Sequence, residues 1–112
     1  MNEKTAVLAL AALAQETRLR IFRALIGAGP EGLTPSALAA MLGLAGSNLS
    51  FHLKELTRSD LVTVERDGRQ LFYRPHLDHM NGLVGYLVDH CCQGEDCSPS
   101  PKGAKPCGAP TC

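Results

Sequence analysis

Three cysteines near the end of the sequence, Cys91, Cys92 and Cys97, are the side chains best suited to chemistry. Gln-Gly-Glu-Asp separates Cys97 from the pair, a flexible polar link that lets the third sulfur fold back onto the first two. Soft thiolates favour thiophilic acceptors, and a set of three leaves room for the lone pair of a trigonal-pyramidal trivalent arsenic or antimony. Adjacent residues on a helix point about 100° apart, so joint ligation by the pair requires local fraying or a partner subunit. Two other readings stand beside this one. Vicinal thiols can act as a redox switch, and His90 with the three cysteines makes the donor set of a tetrahedral zinc site. Cys107 and Cys112 lie further along, where nothing in the sequence positions them, and they read as spectators.

The elements that must carry these sulfurs are bounded by composition. A chain of 112 residues, 45% of them hydrophobic, has room for one compact domain with a modest core. Eleven Lys and Arg balance eleven Asp and Glu, so affinity for nucleic acid would have to come from a local patch. All five cysteines fall at or beyond position 91, unlike the spread-out bridges of a secreted disulfide framework. The opening Met-Asn-Glu-Lys shows no basic segment before a long apolar run, no apolar run reaches about 18 residues, and the terminal cysteine is not four from the end. These features predict a cytoplasmic protein with reduced thiols. From Gln93 onward Pro, Gly, Ser and charge dominate, so residues 93–112 are expected to be a flexible tail behind a domain spanning 1–92.

Along that domain, Val7, Leu8, Leu10, Ala11 and Ala14 recur at helical spacing. A second helix carries Leu19, Ile21, Phe22, Leu25 and Ile26, with Arg18, Arg20 and Arg23 largely opposite, and Gly27, Gly29 and Pro30 end it. Thr34 and Pro35 read as N-cap and first residue of a short third helix bearing Leu38, Ala39 and Leu42, which Gly43 stops. A fourth runs from Ser47 to about Ser59 with Leu49, Leu53 and Leu56 on one side. Asp67-Gly68 between two β-rich runs predicts a hairpin. A fifth helix starts near Leu77 and carries Met80, Leu83, Val84, Leu87 and Val88. Two short helices joined by a Gly-containing turn and followed by a hairpin describe a mainly α (α+β) winged helix-turn-helix of five helices.

If Leu49, Leu53 and Leu56 face the core, then Ser47, Ser50, Phe51, Lys54 and Arg58 face outward in a stripe that can enter a DNA major groove. Hydroxyls and Asn48 near the helix start suit base edges or phosphates, Lys54 and Arg58 suit phosphates, and Phe51 suits thymine methyls. Arg66 and Arg69 add charge around the wing tip. His52, between Leu49 and Leu56, reads as a structural histidine rather than a base reader. The first and fifth helices offer more apolar surface than so small a domain can cover, which predicts a homodimer that presents two such helices to half-sites roughly 34 Å apart.

The runs LAQETRLRIFRAL, LTPSALAAMLGL, SNLSFHLKELTRSDLV and ERDGRQLFYRP resemble the ArsR/SmtB family of metal-sensing repressors over nearly all of residues 5 to 90. The resemblance implies a homodimer paired through its first and last helices that leaves operator DNA when an inducing ion binds. Polar residues are usual in the family where this chain has Ala45 and Gly46, which argues against base contacts there. Some members sense arsenic through a Cys-Val-Cys motif on the helix before the recognition helix. Here that stretch is Ala37-Leu38-Ala39-Ala40-Met41. Others resemble this chain in a Cys-Cys pair at the last helix with a third cysteine shortly after, and they respond to arsenite or, with the pair alone, to methylated trivalent arsenic. By that resemblance Cys91, Cys92 and Cys97 take As(III), with antimonite and methylarsenite as variants. Zinc-sensing members use Asp and His on the last helix, and His76, Asp78, His79, Asp89 and His90 keep that alternative open. A thiol-dependent enzyme fits less well, since the cysteines lie on a tail rather than in a pocket walled by an acid, a base or an oxyanion donor.

Overall fold

A computed structural model describes residues 1–89. Its order is α1 (Glu3–Leu13), α2 (Glu16–Ala28), α3 (Pro35–Leu42), α4 (Gly46–Arg58), β1 (Val62–Asp67), β2 (Gln70–Pro75) and α5 (Leu77–Leu87). Local chemistry sets the boundaries. Asn2, Gln15 and Thr34 each accept a hydrogen bond from the backbone N–H three residues on, at 2.8, 2.8 and 3.2 Å, which satisfies one orphan donor at the start of α1, α2 and α3. Gly43 closes α3 in the left-handed region and donates its N–H to the Ala39 carbonyl at 2.8 Å.

Ile21, Phe22 and Leu25 of α2, Leu38 of α3, Leu49, Leu53 and Leu56 of α4, then Leu61, Val62 and Leu83, make one buried core. Sequence periodicity placed the helical members of this core correctly but did not single out Leu61 and Val62 where the hairpin begins, and α1 contributes differently from its expected stripe. The face it turns inward is Ala6, Ala9 and Ala12, while Val7, Leu8 and Leu10 remain exposed. Three alanines let α1 approach α2 and α4 closely, and its bulky residues are left pointing outward. Leu19 and Ile26 of α2 are exposed as well, so the helix buries a narrower face than its apolar content suggests.

The two strands pair antiparallel from Val62 with Pro75 to Asp67 with Gln70, leaving Gly68 and Arg69 as a two-residue loop. Asp67 thus belongs to the strand rather than the turn. Gly68 has φ of 67° and Arg69 is not left-handed, the pattern of a type II′ connection. The base of the hairpin is tied to the loop before α3. Leu33 and Tyr73 exchange backbone hydrogen bonds of 3.0 and 2.8 Å, and Arg74 donates from Nε to the Pro30 carbonyl at 2.8 Å while pairing with Glu65 at 2.6 Å. Among the described residues no helix is long and apolar enough to cross a membrane.

Candidate nucleic-acid interface

The α3–turn–α4 unit presents α4 as its outer helix. Leu49, Leu53 and Leu56 are buried, and at about 100° per residue the opposite side carries Ser47, Phe51, Lys54 and Arg58 within an arc of roughly 60°, flanked by Asn48 and Ser50. All six are exposed, and so are Arg66 near the end of β1 and Arg69 in the hairpin loop. Every residue expected to face nucleic acid therefore lies on accessible surface of two adjacent elements. Ala45 occupies the N-cap of α4 and supplies no side-chain hydrogen bond; the first helical amide bond runs from Leu49 N to the Ala45 carbonyl at 3.0 Å. With Gly46 next, the helix start offers backbone donors and no side-chain hydrogen-bonding group until Ser47, in keeping with the absence of base-reading groups at 45 and 46.

Two features of this face were not foreseen from the sequence. Arg58 is held by Glu55, one turn earlier, at 2.9 Å. Such an exposed pair is worth between about 0 and 1 kcal/mol, so Arg58 can exchange Glu55 for a phosphate at little cost; the Glu-x-x-Arg spacing was the available signal. Phe51 stacks edge-on against His52, with ring centroids 5.4 Å apart at 65°. His52 is half-buried, its Nδ1 has no hydrogen-bond partner, and burial followed by the charge of Arg18 pushes its pKa below the ordinary 6.5. A half-buried ring favoured in its neutral form fits the inward placement expected of a structural histidine, but its Nδ1 lacks the hydrogen-bond partner that a satisfied one would have.

The thiols Cys91, Cys92 and Cys97, together with His90, Cys107 and Cys112, lie outside the described residues. Among the described residues no group of three or more His, Cys, Asp and Glu is placed to hold a metal. His76 and His79 stack with centroids 5.7 Å apart, and His76 uses Nδ1 to donate to the Asp60 carbonyl at 2.9 Å. Within one copy, the His and Asp residues at the start of α5 do not assemble a three-ligand set.

A family described as a helix-turn-helix domain matches residues 13–65. The transcriptional regulator CmtR of Mycobacterium tuberculosis is 42% identical over 78 residues, which are 69% of this chain and 63% of that protein. The chain spans 63% of the length of the curated relatives it matches. Among solved structures, an ArsR-like transcriptional regulator from Rhodococcus sp. RHA1 has a TM-score of 0.68 and 26% identity, with 78% of each chain covered. A possible transcriptional regulator for arsenical resistance has a TM-score of 0.58 and 31% identity, over 71% of this chain and 83% of that one. The homodimeric winged helix-turn-helix DNA-binding domain of Mb0332 from Mycobacterium bovis, described as a possible ArsR-family regulator, has a TM-score of 0.63 and 25% identity over 80% and 82% of the two chains. All four are named as regulators and none as an enzyme. A helix-turn-helix with this wing and this helix order, shared over most of the length of such regulators, makes the chain a member of the ArsR/SmtB family of winged helix-turn-helix transcriptional regulators.

Proposed function

We propose that the chain is a cytoplasmic homodimeric repressor that holds operator DNA through α4 and the wing and releases it when trivalent arsenic binds Cys91, Cys92 and Cys97. The observation that carries the DNA half is the exposed stripe of Ser47, Phe51, Lys54 and Arg58 directly opposite the buried leucines of α4, with Arg66 and Arg69 beside it. Hydroxyls, an amide and cations on the outer helix of a helix-turn-helix match base edges and phosphates. The inverted burial of α1 supports the dimer. A helix that turns alanines inward and leaves Val7 and Leu8 each 57% exposed, beside an α5 with exposed Tyr86 and Leu87, needs an apolar partner, and a second copy supplies one by two-fold symmetry.

The arsenic half rests on donor chemistry. Three thiolates offer a trivalent ion three soft ligands and leave its lone pair unopposed, and they follow in the chain directly after the helix that carries part of the apolar face. The likeness to a possible regulator for arsenical resistance points the same way. Arsenite, antimonite and methylarsenite share this chemistry. Release requires that the ligand favour the dimer state that grips DNA poorly, and a coupling of 1–3 kcal/mol amounts to about 5- to 150-fold in affinity.

The test is fluorescence anisotropy of the reduced protein on DNA from upstream of its own gene, titrated in parallel with arsenite, methylarsenite and zinc. Trivalent arsenic is expected to weaken binding by about tenfold or more. Cys91→Ser, Cys92→Ser and Cys97→Ser are each expected to bind DNA normally and to resist release. A triple variant still released by arsenite would overturn the ligand assignment, and release by zinc alone would move it to the His and Asp residues of α5.

A further inference from the structure

The ring of Phe51 stands out on α4 because it is 57% exposed at the middle of a stripe that is otherwise polar or cationic. The exposed apolar residues of α1 and α5, among them Val7, Leu8, Tyr86 and Leu87, lie on two helices that pack together, as a protein-covered surface would. Phe51 instead has Ser47, Lys54 and Arg58 around it, groups suited to phosphates and base edges. Its ring makes an edge contact with the ring of His52, which is half-buried. An aromatic ring left in water is stabilised where it meets an apolar group. In a major groove the apolar group on the base edges is the C5 methyl of thymine.

We infer that Phe51 is a specificity-determining residue that packs on the methyl of one thymine in each half of the bound duplex. The inference rests on the DNA-binding reading above and adds to it the base that this position reads. The operator must then carry a T·A pair at that step, and a C·G pair, which lacks the methyl, is rejected there even though Phe51 makes no hydrogen bond.

The full-length reduced protein is used to select a tight-binding duplex from a random pool, and each thymine of that duplex is then replaced in turn by deoxyuridine, which removes the methyl alone. Anisotropy is expected to show a loss of about fourfold at one thymine per half-site, the factor that burial of one methyl-sized group is worth. Phe51→Ala is expected to bind the thymine duplex more weakly and to show no further loss at that position, whereas Phe51→Leu, which keeps an apolar contact, retains the sensitivity. Equal deoxyuridine penalties in the wild type and Phe51→Ala at every position, or no penalty anywhere in the wild type, would overturn the inference while leaving the regulator reading intact. Failure to select any duplex would overturn the regulator reading and the inference with it.

Discussion

His52 shows how one side chain ties the reading helix to the domain beneath it. Its ring is half-buried, its Nδ1 lacks a partner, and burial and then Arg18 disfavour its charged form. As pH falls, the unfolded chain takes up this proton first, near the ordinary 6.5, because the folded pKa lies lower. The stability contributed by the neutral ring is therefore complete above 6.5 and declines as pH drops below it. Urea unfolding of the wild type and of His52→Gln at pH 7.5 and 5.5 checks this: the stability difference between the two proteins is expected to shift in favour of the variant at the lower pH. A difference independent of pH would show that the folded ring is not held neutral. Three-residue and four-residue spacing sufficed to place Leu49, Leu53 and Leu56 inward and Ser47, Phe51 and Lys54 outward. The same arithmetic gave no hint of the edge contact to Phe51 or of the Arg18 charge, since both depend on rotamers and on another helix.

At the level of elements, the wing is fixed from below by the loop between α2 and α3. Gly32 has φ of 80°, and a Cβ there would stand 2.7 Å from the Tyr73 carbonyl oxygen, whose strand is held by its exchange with Leu33. Gly32→Ala is expected to cost about 1–3 kcal/mol, read as a lower urea midpoint, because neither the backbone angle nor the strand can yield cheaply. Gly27→Ala, in α2 with open space around it, is the control with the opposite sign: removal of a helical glycine should be neutral or add up to about 1 kcal/mol. Equal behaviour of the two variants would contradict the anchoring role of the loop. The Asp-Gly pair announced the hairpin, but its register was legible only to within one residue, since Asp67 pairs with Gln70 and the turn is Gly68-Arg69. The tie through Leu33, Pro30 and Arg74 had no local signal, as its partners lie about forty residues apart in sequence.

For the whole molecule, what the domain leaves uncovered matters as much as what it buries. The apolar excess of α1 and α5 was visible in the sequence as more hydrophobic surface than one small domain can hide. Which residues would be left over was not, because alanines took the inner face of α1. The cations Lys54 and Arg58 of α4 and Arg66 and Arg69 of the wing, by contrast, were legible from their positions in the sequence despite a net charge of zero, and all four are exposed. If two copies bring Lys54, Arg58, Arg66 and Arg69 to one duplex, binding must release the counterions of the phosphates they neutralise. The most direct measurement is therefore the affinity of the reduced protein for its upstream DNA as a function of salt. A dimer bound per duplex, with log K falling against log salt at a slope between about −4 and −7, is the predicted result; Arg66→Ala should flatten that slope by about 2, one contact per copy. Binding that is absent at low salt, or that does not weaken as salt rises, would contradict the assignment of α4 and the wing as a DNA-reading surface.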